Sequence, residues 1–200
     1  MLFLTQSGVY KGHLWSAESG SLTAEFAQFK HFENANFQLE TARSLVLGKL
    51  ANSRQLLLRL NRKRNLEKLT TAIAGIYADM RQVAKAVQLD ALRGYEGSAA
   101  ARYFPAFGEL LLNRDWNFSQ RNRRPPTDPV NAMLSYGYTL LFNNVLSLLL
   151  AEGLNPYLGN LHRSDRKEPH LAFDLMEEWR SPIVDTLVLV LTNKSVIQPD

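Results

Sequence analysis

Apolar residues in the opening stretch come in short pieces, Leu2-Phe3-Leu4 and Val9-Tyr10, parted by Ser7-Gly8. That pattern predicts a β-hairpin over residues 2 to 15. A lone hairpin is marginal in water, so it is expected to be the last piece of a larger sheet. From Glu33 to about Arg64 the period changes: Leu39, Ala42, Val46, Leu50, Leu57 and Leu60 recur mostly at spacings of three and four, the mark of a helix. A second helix fits Leu66 to about Leu89, with Leu69, Ile73, Ile76, Met80 and Val83 on one stripe. A third is expected to open after Arg93-Gly94-Tyr95, with Glu96 in its first turn, and to run towards Asn113. The stretch from Asn113 to Pro129 holds three prolines and several Arg and Asn residues and reads as a basic loop. Thr127 or Asp128 then caps a helix with Pro129 near its start, continuing to about Ala151 and ended by Gly153. After the turn-rich Asn155 to Asn160, Leu171 to Trp179 is helical, and Ser181-Pro182 marks a kink or a fresh start running to Leu191. The fold class expected is mainly α, with one residual hairpin ahead of the helices.

Composition narrows the chemistry. The 46% apolar and 21% charged fractions of the 200 residues are ordinary for a globular protein. With no cysteine, disulfides, thiolate catalysis and cysteine-held zinc or iron–sulfur sites are excluded. A metal must then be held by His, carboxylates and water, which favours Mg2+ or Mn2+. The net charge of +4 is modest, but the basic residues cluster at Arg62-Lys63-Arg64 and at Arg121, Arg123 and Arg124. No basic and apolar leader opens the chain, and the run Thr139 to Leu154 is broken by Asn143-Asn144 and Glu152. The expectation is a cytoplasmic protein without a membrane span.

Asp174 and Glu177 stand three residues apart, so a helix would set their carboxylates side by side on one face. Two such acids repel unless a cation lies between them, and His162 could approach the same point from a loop. The bland alternatives are a solvated helix face and an ordinary surface histidine. Glu96 has its own plain reading, an acid favoured by the dipole of a helix's first turn. Arg180 either pairs with Glu177 or binds a phosphate, and Tyr136 and Tyr138 are core or cap residues in the plain reading.

Four boxes, in order, carry a resemblance. They are Leu92-Arg93-Gly94-Tyr95-Glu96-Gly97, the run from Arg124-Pro125-Pro126-Thr127-Asp128-Pro129 through Tyr138, Gly153-Leu154-Asn155-Pro156 through Leu161-His162, and Asp174-Leu175-Met176-Glu177-Glu178-Trp179-Arg180. Together they resemble the CRISPR-associated adaptation integrase family, the endonucleases that insert spacers into CRISPR arrays. Gly8-Val9-Tyr10 and Lys49-Leu50-Ala51-Asn52-Ser53-Arg54 also look like family positions. The resemblance implies a small N-terminal β-domain, of which residues 1–20 are a remnant, and a helical catalytic domain over 21–200 that is incomplete at its end. It implies Glu96, His162 and Asp174 as ligands of Mg2+ or Mn2+, with Glu177 at a supporting acidic position of the catalytic set.

The expected activity is metal-dependent DNA cleavage and integration, a spacer 3′-hydroxyl attacking a phosphodiester of the repeat by transesterification. Arg124, Arg163 and Arg180 are the candidate phosphate contacts, with Tyr136 near the reacting strand. The expected partners are double-stranded and branched DNA, a second copy in a homodimer, and a second CRISPR adaptation subunit. The alternative, from another class, is a non-catalytic DNA-binding or scaffolding fragment of the same kind of complex.

Overall fold

The computed structural model describes residues 2–6, 9–14, 22–162 and 167–198. Two strands, β1 (Leu2–Leu4) and β2 (Tyr10–His13), pair antiparallel with Phe3 opposite Gly12, and an irregularity follows before Leu4 meets Tyr10. The Ser7-Gly8 turn lies outside the described residues. Among the described residues seven α-helices follow: α1 (Leu22–Phe32), α2 (Ala35–Asn61), α3 (Glu67–Val83), α4 (Leu89–Gly108), α5 (Pro129–Ala151), α6 (His170–Met176) and α7 (Thr186–Asn193). The mainly-α class is what the periodicity predicts.

α2 is the spine. At 27 residues it spans about 40 Å at 1.5 Å per residue. Asn34 caps it, its side-chain oxygen accepting from the backbone of Asn36 and Phe37 at 3.0 and 3.1 Å. Val46, Leu50 and Leu57 of its inner stripe are buried with Leu69 and Ile76 of α3 and with Leu92 and Phe107 of α4. α1 has no counterpart in the sequence reading. None of its residues is buried, and its stripe of Leu22, Phe26 and Phe29, at spacings of four and three, is exposed. It is tied back through Gln28, which donates to the Asn155 carbonyl and accepts from the Asn155 N–H, both at 2.8 Å.

Two boundaries differ from the sequence reading in ways that matter for the site. α4 begins at Leu89, so the helix runs straight through Arg93-Gly94-Tyr95, and Glu96 lies two turns inside it. The first-turn dipole therefore does not account for this acid. Beyond α6 the chain does not continue as one regular helix: Glu177–Trp179 tightens into a 3-10 turn and Arg180–Asp185 widens into a π turn that absorbs Pro182 before α7. Asp174 and Glu177, three apart across the start of the tight turn, keep to one side of the segment, where both face the His162 ring.

α5 is capped by Asp128, which accepts from the Asn131 N–H at 2.8 Å, and carries Pro129 in its first turn. Measured from Pro129 rather than Thr139, it is long and apolar enough by length and composition to cross a membrane, which corrects the shorter run taken from the sequence. Its Val130, Leu134 and Tyr138 nevertheless pack into the main helical core. Gly137 brings α5 against the π turn, where a Cβ would fall 2.5 Å from Val184 Cγ1. Gly137→Ala should lower stability by about 1–3 kcal/mol through overpacking, although alanine is the better helix former by about 1 kcal/mol. In a Val184→Ala background the same change should be neutral or stabilising in urea denaturation. An equal loss in both backgrounds would contradict this packing.

Candidate metal centre

The loop Gly159–His162 crosses α6 directly over Asp174. Gly159 permits that approach, since a Cβ there would lie 2.5 Å from the His170 Cβ and 3.1 Å from Asp174 Oδ2. Asp174 is fully buried. Its Oδ2 accepts from the backbone N–H groups of Asn160 at 2.5 Å and Leu161 at 2.9 Å, and its Oδ1 from that of His162 at 2.9 Å. The same Oδ1 stands 2.7 Å from His162 Nδ1. Arg93 of α4 clasps the other side of the loop, donating from Nε and Nη2 to the Leu161 carbonyl at 2.9 and 2.6 Å.

With Nδ1 engaged, the outer nitrogen Nε2 faces Glu177, 3.9 Å from Oε1. Asp174 and Glu177 therefore stand on opposite sides of one imidazole, neither of them on a solvated face. Glu177 is 2% exposed. Its Oε1 pairs with Arg180 at 3.0 Å, and its Oε2 lies 2.6 Å from Lys49 Nζ without an aligned hydrogen bond. Lys49, reaching in from α2, also pairs with Glu96 Oε1. Glu96 of α4, Glu177 and His162 Nε2 thus lie about one locus, with an ammonium between the two acids.

Burial alone would push the Glu177 carboxyl up, but the charges of Lys49 and Arg180 outweigh it and hold the group below the usual glutamate value. A second buried acid behaves oppositely. Asp185 accepts from the hydroxyls of Tyr103 at 2.7 Å and Tyr138 at 2.6 Å, yet burial raises its carboxyl above the usual value against those bonds. Both phenols are themselves pushed well above their ordinary value, first by burial and then by the charge of Asp185. Arg180 and Arg121 lie against the Tyr138 ring, their guanidinium carbons 4.8 and 5.4 Å from its centre.

A cavity of about 290 Å³ opens beside this locus, lined by Lys49, Arg93, Arg121, Arg123 and Arg180 against the acids Glu96 and Asp185. Two carboxylates and one imidazole nitrogen suit a hard divalent ion such as Mg2+ or Mn2+. The lysine already marks the place as one for positive charge. Among the described residues no three acid or histidine side chains are gathered tightly enough to hold an ion as they stand, and Lys49 lies between two of the carboxylates.

Of the residues singled out in the sequence, Glu96, His162 and Glu177 are brought together, whereas Asp174 stands behind the histidine with both oxygens occupied. Arg180 lines the cavity but is committed to Glu177 and the Tyr138 face. Arg124 and Tyr136 are exposed and do not line the cavity, and Arg163 lies outside the described residues. Lys49, Arg93, Tyr138 and Asp185 were not picked out as site residues. One signal was legible: Lys49 and Ser53 interrupt the apolar stripe between Val46 and Leu57, where a polar residue needs a buried partner.

The geometry can be set beside known proteins. Residues 1–200 match the family described as CRISPR associated protein Cas1. The CRISPR-associated endonuclease Cas1 of Leptospira interrogans is 42% identical over 178 residues, covering 86% of this chain and 70% of that protein. A Cas1 endonuclease of Thermus thermophilus is 41% identical over 191 residues, covering 96% of this chain and 55% of that one. Among solved structures, a chain of a partial Cas6-RT-Cas1–Cas2 complex superposes with a TM-score of 0.87 at 29% identity, over 98% of this chain and 59% of that chain. A casposase bound to integration product gives 0.78 at 26%, over 98% and 54%. The chain belongs to the Cas1 family, and it spans 54 to 70% of the length of these relatives.

Two outcomes follow from the buried acids. Asp174→Asn should place amide hydrogens against backbone donors, lowering stability by about 3 kcal/mol and exposing the Asn160, Leu161 and His162 amides to hydrogen exchange. Retained protection at all three would contradict the clamp. For Asp185, a folded pKa above the unfolded one means that the ionised form penalises the fold at neutral pH, and that penalty fades as pH falls towards about 4. The stability difference between wild type and Asp185→Asn should therefore shift in favour of wild type from pH 7 to about pH 4. A difference independent of pH would contradict it.

Proposed function

We propose that this chain is the helical part of a divalent-metal-dependent DNA endonuclease and integrase of CRISPR adaptation. The observation that carries the reading is the convergence of Glu96, Glu177 and His162 Nε2 on one cation-holding locus at the wall of a basic cavity. Glu96, His162 and Glu177 would hold Mg2+ or Mn2+. Asp174 would be the positioning acid that sets the imidazole tautomer, with Nδ1 protonated and Nε2 free to ligate. When bound, the ion supplies charge to offset that developing on a phosphoryl group in strand transfer.

The reaction we assign is a transesterification. The oxygen of a spacer 3′-hydroxyl forms a bond to a repeat phosphorus and loses its proton, while the bond to the displaced 3′-oxygen breaks and that oxygen takes one up. With water as the attacking group the same site would cleave DNA. Lys49, Arg93, Arg121, Arg123 and Arg180 give the cavity the charge to receive a phosphodiester backbone. The reading keeps the protein in the cytoplasm, acting on double-stranded and branched DNA as a dimer with a second adaptation subunit. The likeness to a chain of a Cas6-RT-Cas1–Cas2 complex supports that last partner.

Calorimetric Mn2+ titration separates the roles of the two acids. Glu177→Gln should abolish measurable binding, as should Glu96→Gln, whereas Asp174→Asn should weaken it by about 10–100-fold, the usual effect of losing a group that orients a ligand. Mn2+-dependent cleavage of branched DNA should follow the same order. Undiminished binding and cleavage in Glu177→Gln would overturn the assignment.

A further inference from the structure

Lys49 is a charged residue set on the inward side of α2, largely shielded from solvent. Its side chain is only 15% exposed, and its ammonium touches both Glu96 and Glu177, residues carried by different segments of the fold. We propose that Lys49 is the chain's own placeholder for the divalent ion. Its ammonium neutralises the two acids in the metal-free protein, and metal entry drives it off both of them into the adjoining cavity. The inference rests on the reading that Glu96, His162 and Glu177 hold the metal.

Charge makes the two states exclusive. Glu177 already has Arg180 on its other oxygen, so an ammonium and a divalent ion together would leave the two carboxylates heavily overbalanced by positive charge. Without any cation the buried acids would repel one another, and burial would penalise both charges. The lysine removes that penalty while the metal is away. Its chemistry suits a group that must leave: a compact charge on a flexible four-carbon stem, without the fixed fork by which an arginine would grip a carboxylate. The way out is open, since Lys49 lines the same cavity as Arg93, Arg121 and Arg123, where a substrate phosphate would receive the displaced ammonium. The placeholder must also weaken metal binding, because the apparent affinity falls with the fraction of molecules in which the acids are free.

The deciding test uses the wild-type protein. Surface amines are acylated with a mild reagent, with and without saturating Mn2+, and the rate at each lysine is read by peptide mass spectrometry. Lys49 acylation should rise at least several-fold with Mn2+, while Lys68, 76% exposed and paired with Glu109 rather than with Glu96 or Glu177, should not change. In parallel, Lys49→Met should melt lower than wild type without metal, bind Mn2+ about 10-fold more tightly, and close the gap in melting temperature when Mn2+ is added. An unchanged Lys49 rate would overturn the inference, and if Lys49→Met fails to fold the acylation result decides alone. Should wild type bind Mn2+ and lose it on Glu177→Gln while Lys49 stays protected, the metal assignment stands and the placeholder alone falls. Should wild type bind no Mn2+, both fall together.

Discussion

The carboxylate of Asp174 is the constraint on which the site depends. Buried under the Gly159–His162 loop, it accepts three consecutive backbone N–H groups and stands on the imidazole Nδ1. No solvent replaces those bonds, so the loop has one low-energy seat, and the ring has one orientation. Everything towards the cavity follows from that orientation. Nε2 is left facing Glu177, and the loop carbonyl of Leu161 is left for Arg93, which ties α4 and its Glu96 to the same place. One acid thereby aligns residues from the loop, from α4 and from the segment after α6.

The second feature is how buried charge is shared out. Glu177 tolerates its depth because Lys49 and Arg180 stand on it, and its carboxyl is held below the ordinary value. Asp185, at the back of the same cavity, has two phenols and Ser181 close by, with Arg180 and Arg121 as smaller influences, and burial pushes it the other way. The difference is one of function as well as environment. The first arrangement keeps an anion ready beside a basic cavity, while the second fixes Tyr103 and Tyr138 and, through the Tyr138 ring, the positions of Arg121 and Arg180. The 3-10 and π turns after α6 carry Glu177, Arg180 and Asp185 within one short segment of the chain.

Much of this was legible in the chain. The apolar spacing of α2 and α3, the Asp128-Pro129 start of α5 and the four ordered boxes led to the class, the family and the residues Glu96, His162, Asp174 and Glu177. What escaped did so for physical reasons. α1 carries only the short stripe Leu22, Phe26 and Phe29 and buries none of it. The start of α4 was put too late because Gly94 read as punctuation, whereas in the helix its Cβ position meets nothing within 4 Å. The placement of Arg180 and Asp185 depends on turns that wind tighter and then wider than an α-helix, which residue spacing alone does not reveal. Lys49 lies on an inward stripe forty-seven positions from Glu96, and such a pairing is a tertiary event.

The central claim is that Glu96, His162 Nε2 and Glu177 form one metal locus, with Asp174 behind the ring and Lys49 between the acids until the ion arrives. Anomalous scattering from crystals soaked in Mn2+ tests it most directly. The account predicts a single strong peak bounded by those three groups, Asp174 still on Nδ1, and the Lys49 ammonium withdrawn into the cavity. A peak coordinated by Asp174 in place of Glu177, or one that leaves Lys49 bridging Glu96 and Glu177, would contradict it.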